Sequence, residues 1–242
     1  MIFNMGGRVN PAKKMPDFTY SGTYRLIDEG LTETAQNWRI EFLTSGTLKF
    51  NKLATDIDVF CVGGGGGAPK WCGGAGGGYT TTKKLVSVNA GTSYTITIGA
   101  GGASKTDKTN GGDGGTTKAF GVEALGGKGA IWAEYREGEA SKIYAYRVGA
   151  DGGSGGGGEG GAGGTDGADG KAGRANYGGK GQGTTTHAFG ESSGALYSAG
   201  GNGHDSGGYI IAGVNTGRGA DAGCNEGSHD GGSGIVIIRN AR

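Results

Sequence analysis

Residues 149–173 read GADGGSGGGGEGGAGGTDGADGKAG, and glycine holds every third position: Gly149, Gly152, Gly155, Gly158, Gly161, Gly164, Gly167, Gly170 and Gly173. Three is the repeat of the polyproline II helix, and glycine at each third position lets such helices touch backbone to backbone. The stretch contains no proline, so it is not an ordinary collagen sequence. These nine glycines are read as structural. At about 3.1 Å per residue the run 149–175 would extend roughly 84 Å, against about 45 Å across for a compact domain of this size. It therefore folds back or projects as a stalk. We expect it to fold back, turning at Gly155–Gly158; a parallel triple helix of three chains is the alternative.

Working outward, the chain has 242 residues and 61 glycines, of which only Gly6, Gly7, Gly22, Gly30 and Gly46 precede Cys61. The three prolines, Pro11, Pro16 and Pro69, all precede residue 70. Glycine-rich chains of low hydrophobicity are disordered by default, because they bury too little apolar surface to offset ordering entropy. Three features argue for a folded chain here: the periodic glycine spacing, patterned strands around the glycine runs, and the closing apolar stretch Ile235-Val236-Ile237-Ile238-Arg239. Net charge is +1 with both signs interspersed, so no nucleic-acid partner is expected. No stretch is apolar and long enough to insert in a membrane, and the first residues lack the core of a secretory signal. Cys61, Cys72 and Cys224 have no ligand-type spacing and read as reduced structural thiols.

Residues 1–17 read as an N-terminal arm and 18–242 as one domain: entry strands over 18–62, glycine-rich loops and helices over 63–234, and a closing strand over 235–240. Phe18–Tyr20 and Tyr24–Ile27 are β-type runs, and residues 28–37 form a polar connection with a possible short helical turn. Trp38, Ile40 and Phe42 share one face of a strand, Leu48 and Phe50 continue the alternation, and 56–62 alternates again. These patterns predict half-buried antiparallel strands. Tyr79–Val88 and Ser93–Ile98 read as a hairpin through Asn89-Ala90-Gly91. Residues 112–121 (GDGGTTKAFG) repeat as 181–190 (GQGTTTHAFG), identical at seven of ten positions, so a glycine loop leading into a short strand is used twice. Residues 130–148 are almost free of glycine and carry Trp132, Tyr135, Tyr144 and Tyr146; we read them as an inserted hairpin. The fold class is all-β plus glycine helices, without a long α-helix.

No motif in the chain points to catalysis. There is no P-loop, since Lys128, Lys171 and Lys180 lack the required successor. Gly200–Asp205 fits half of a calcium nonapeptide once, which chance in a glycine-rich chain explains. His187, His204 and His229 read as exposed loop histidines, and neither cofactor nor metal is expected. Trp38 reads as core. Aromatic faces on rigid loops suit sugar or protein surfaces, which makes Trp132, Tyr135, Tyr144 and Tyr146 the candidate binding residues. The competing reading is that they cap the glycine lattice or pack a subunit interface.

The stretches Trp38–Thr47 and Ile57–Gly67, then Tyr94–Gly102 and the closing Gly231–Arg239, resemble in order the glycine-rich domains of bacteriophage tail and tail-fibre proteins. A related glycine-rich domain occurs in anaplastic-lymphoma-kinase-type receptors. The resemblance covers residues 18–240. It implies an antiparallel β-sandwich of jelly-roll, tumour-necrosis-factor-like type with an inserted polyglycine II bundle. It also implies an exposed virion tail protein, either a tail fibre or a tail-tip protein. Its implied partners are other tail proteins and host-cell surface carbohydrate or protein, in a homotrimer. A purely structural virion component is the alternative. The aromatic stretch 130–148 departs from the family pattern, where glycine is expected.

Overall fold

The computed structural model describes residues 16–28, 37–52, 56–105, 109–133, 144, 146–204, 210–223 and 228–242. Residues 1–15 of the arm and most of the 28–37 connection lie outside these residues, while Asp17, read as the end of the arm, begins the first strand. The strands are β1 (Asp17–Tyr20), β2 (Tyr24–Asp28), β3 (Trp38–Phe42), β4 (Gly46–Lys52), β5 (Ile57–Val62), β6 (Thr80–Val86), β7 (Ser93–Ile96), β8 (Thr117–Ala119), β9 (Val122–Ala124) and β10 (Ile235–Asn240). They form a three-stranded sheet β1-β4-β7, a five-stranded sheet β2-β3-β10-β5-β6, and the pair β8-β9. All named pairings are antiparallel. The molecule is all-β.

The alternating residues decide how the two larger sheets meet. Leu48, Phe50 and Ile96 of the smaller sheet share one core with Trp38, Ile40, Phe42, Ile57, Val59, Cys61, Val236 and Ile238 of the larger. Each such side chain contributes roughly 1.5–3 kcal/mol on burial. The closing strand β10 enters between β3 and β5, with Val236 opposite Phe42 and Cys61, and Ile238 opposite Ile40 and Val59. The expected hairpin across Asn89-Ala90-Gly91 does not form. β6 pairs with β5 and β7 pairs with β4, so this link carries the chain from one sheet to the other. Ile96 is buried between the facing sheets, and Val86, Val88 and Ile98 pack half-buried against the same core.

The half-buried expectation fails for β5, which is buried at every residue; the apolar closing strand β10 is likewise buried from Ile235 to Arg239. Their outer-face residues Phe60, Val62, Ile235 and Ile237 are covered by Ala188, Phe189, Leu43 and Tyr197. The sequence repeat explains this second layer. The first copy forms β8, whose hairpin with β9 packs into the inter-sheet core, and the second copy lays Ala188 and Phe189 on the opposite face. The copies share a backbone device: Phe120 has φ +51° and Phe189 has φ +59°. They differ after it. Lys118 pairs with Glu123, but His187 bridges to Leu196, so the second copy is a 3₁₀ turn with one bridge rather than a strand.

Beyond the sheets, glycine backbones form a lattice whose centre is the segment 63–68. Gly63 and Gly66 donate to Tyr79 and Gly76, Gly64 and Gly67 to Gly115 and Gly112, and Gly65 and Ala68 to Gly232 and His229, all at 2.9 Å. The donors thus point in three directions and return to the same neighbour after three residues, as a threefold helix requires. The segment accepts bonds from Gly102, from Gly127 and Ala130, and from Ala220. Six other stretches of chain therefore surround it. The segment 74–79 repeats the pattern: it donates to Gly157 and Ser154, to Ala220 and Gly217, and to Lys128 and Leu125. Every step is again three. The lattice satisfies buried backbone donors that no sheet ladder reaches.

The run 149–173 folds back within this lattice, but not at Gly155–Gly158. Those residues form a straight, buried stretch, in which Gly155 and Gly158 donate to Ala168 and Lys171. The chain turns instead at Gly160, where φ is +70°, at Asp166-Gly167, and at Gly173. Glycine at 155–158 is needed for close contact, not for turning. A Cβ at any of the nine register positions would lie 1.8–2.4 Å from a carbonyl oxygen of another segment.

Candidate functional site

One charged residue stands in the glycine-rich stretch 152–165: Glu159. Its side chain has no solvent exposure. A buried lone carboxylate is strongly unfavourable unless paired, and the lattice brings three partners to it. Arg147 Nη1 donates to Oε2 at 3.2 Å, Arg174 Nη2 donates to Oε1 at 3.1 Å, and His204 Nδ1 lies 3.0 Å from Oε1. The segment carrying Arg147 is held directly, since Glu159 N–H donates to the Arg147 carbonyl at 3.0 Å.

Aromatic rings gather around this cluster. The Arg147 guanidinium carbon lies 5.7 Å from the Trp71 ring centre and 5.5 Å from that of Tyr144, and Arg174 lies 4.6 Å from Tyr144. Both arginines are in cation–π range. The Trp71 ring sits 4.6 Å from the His204 ring. Trp71 is 41% exposed and holds φ +57°, a conformation rarely adopted by a bulky residue. Its backbone is fixed on both sides: Trp71 N–H donates to Gly223, Lys70 bridges to Gly223, and Cys72 bridges to Trp132. Cys72 is buried and its thiol donates to the Pro69 carbonyl at 3.0 Å. Burial pushes the Cys61 and Cys72 thiols up, that of Cys61 to about 12, which leaves them unreactive at neutral pH.

Of the aromatic residues singled out from the sequence, Tyr144 joins this cluster and Tyr146 is 62% exposed beside it in sequence. Both have helical backbone rather than the strand expected there, and residues 134–143 of the expected hairpin lie outside the described residues. Trp132 is half-buried, linked to Cys72 by its bridge and to Asn110 by its N–H. Tyr135 lies outside the described residues. The histidine expectation needs correction. His204 is buried against Glu159, and His187 and His229 are half-buried in bridges to Leu196 and Ala68. Among the described residues no group of three or more His, Cys, Asp or Glu is placed to hold a metal ion.

The family profile of the glycine-rich domain matches residues 43–241. The chain belongs to this glycine-rich domain family. No curated protein matches the sequence. In this glycine-rich domain the match spans β4 to β10 and so includes both the lattice and the cluster around Glu159.

The domain holds a second buried charge group, at the far side of the larger sheet. Arg239 Nε donates to Asp58 at 3.1 Å, Arg239 Nη1 to Glu191 at 2.5 Å, and Arg39 Nη2 to Glu191 at 3.1 Å. The Arg239 guanidinium lies 4.1 Å from the Phe189 ring centre and clamps the second repeat copy onto the sheet. This group is structural, because it ties β5, β10, β3 and the 3₁₀ turn together. Sequence reading missed Trp71, Arg147, Glu159 and Arg174. The signal available was Glu159 itself, a lone charge in a run that packs backbone to backbone.

Proposed function

We propose that this protein is a bacteriophage tail-associated component, a tail fibre or tail-tip protein, that binds the host cell surface and performs no catalysis. It would sit exposed on the virion tail as a homotrimer, with other tail proteins and a host carbohydrate or protein as its partners. The resemblance to phage tail and tail-fibre glycine-rich domains, carried by the order of motifs from Trp38 to Arg239, supports this reading. The observation that carries it is the aromatic and arginine cluster of Trp71, Tyr144, Arg147 and Arg174, mounted on a lattice held by backbone bonds. Most lattice hydrogen bonds run between backbone groups, so side chains at its surface are free to serve recognition.

The test is adsorption of labelled protein to a panel of bacterial strains, with light scattering for the mass of three 24.0 kDa chains. Wild-type protein is expected to adsorb to one or a few strains. The double variant Tyr144→Ala/Arg174→Ala, with an unchanged circular dichroism spectrum, should lose most of that adsorption. Undiminished adsorption would remove these two residues from the site. Failure of the wild type on every strain would overturn host binding.

A purely structural role is the second reading, and one observation favours it. Ile210, Ile211 and Val214 are exposed by 56, 73 and 80% in one loop. The loop is fastened at Ile210 by Asp221 and at Asn215 by Ser233 and the carbonyls of Leu43 and Gly234. A fastened apolar loop suits burial against another virion protein. That reading predicts no adsorption and co-purification with tails.

A further inference from the structure

We propose that Trp71 and Arg147 form a saccharide subsite, with Trp71 as the stacking residue; the assignment rests on the host-binding reading above. Two independent observations lead there. The first is Trp71 itself. A bulky side chain at φ +57° carries backbone strain that persists only where the surroundings impose it. Here that strain holds a large indole partly in solvent, 41% exposed, instead of in the core. The ring is backed by His204, which Glu159 holds in place. The platform is therefore rigid before any ligand arrives.

The second observation is Arg147. Its side chain is only 8% exposed, and its guanidinium carbon lies 5.7 Å from the Trp71 ring centre and 5.5 Å from that of Tyr144. Nη1 donates to Glu159, but the buried Nε–H has no acceptor among the described residues. An orphaned, charged donor is costly, and it calls for an incoming acceptor oxygen. A sugar ring meets both demands: its C–H face covers the indole, and a hydroxyl oxygen accepts from Nε–H.

The experiment uses the full chain, an array of bacterial surface polysaccharides, and whole cells from the adsorbing strain. Wild-type protein is expected to bind at least one polysaccharide. Periodate treatment of cells should abolish adsorption and protease treatment should not. Trp71→Gly should lower binding at least tenfold while the melting temperature holds or rises, because glycine relieves the strained φ. Trp71→Phe, which keeps the packing, should weaken binding severalfold, and Arg147→Lys should do the same. Undiminished binding by Trp71→Phe and Trp71→Gly, with wild-type adsorption intact, overturns the subsite and leaves host binding standing. Protease-sensitive, periodate-resistant adsorption assigns a protein receptor and also overturns it. If Trp71→Gly does not fold, Trp71→Phe and Arg147→Lys decide. A wild type that adsorbs to no strain removes the host-binding reading and this subsite with it.

Discussion

A single methyl group is the unit of cost in this molecule. At Gly161 an added Cβ would lie 2.0 Å from the Lys171 carbonyl oxygen, and at Gly164 2.1 Å from that of Ala168. Neither backbone oxygen can rotate away as a flexible side chain would. Gly161→Val and Gly164→Val are each expected to destabilise by at least about 3 kcal/mol, since overpacking and lost bonds between segments add. Gly213→Ala is the control: its Cβ meets only a Thr216 methyl at 3.3 Å, and the change should stay within about 0.5 kcal/mol. Urea midpoints of the three variants check this. Asp166, at the turn after Gly164, accepts from the Thr185 hydroxyl and the Thr186 N–H, and these bonds hold its carboxyl below the ordinary value. A depressed carboxyl stabilises the fold above its unfolded pKa, and the contribution disappears as pH falls through the folded one. Asp166→Asn should therefore lower the melting temperature at neutral pH and make no difference in strong acid, as thermal melts across pH would show.

At the scale of elements, the duplicated unit does two jobs. Its Thr-Thr-x-Ala-Phe-Gly core was legible as a repeat, but not the side of the sheet each copy would cover. That side depends on the residues after the shared Phe-Gly turn, where the second copy runs longer before pairing. Phe189 is buried against Phe60 and clamped by Arg239, whereas Phe120 is only half-buried beside Tyr94. Phe189→Ala is expected to cost about 3–5 kcal/mol and Phe120→Ala clearly less. Chemical denaturation of both variants measures the difference. The same logic explains β5 and β10. An alternating pattern announces one buried face, and the apolar residues of the other face, Phe60, Val62, Ile235 and Ile237, announced the second layer only once Phe189 had been placed. The hairpin expected at Asn89–Gly91 failed for a related reason, because a short polar link serves equally between adjacent strands and between facing sheets.

At the scale of the whole molecule, sheets and lattice are one cooperative body. Amides of Gly63–Gly67 bond to five partners spread from Gly76 to Gly232 in sequence, so none can be released by opening one local element. Their hydrogen exchange should occur only through global unfolding, at rates matching the full stability. Exchange of Gly64 or Gly67 at loop-like rates would show that the lattice opens separately. The site belongs to this scale as well: Trp71, Arg147, Glu159, Arg174 and His204 come from segments separated by up to 133 positions, and no local pattern joins them. The sequence by itself determined that the chain would be all-β with threefold glycine helices, because strand alternation and a three-residue glycine register are local periodicities written in consecutive residues. Only the tertiary structure decided that 63–68 and 74–79 are the central rods, where 149–173 turns, and which charges meet Glu159. Those outcomes depend on which of many chemically equivalent glycine segments lie side by side, and that is settled by the path of the whole chain.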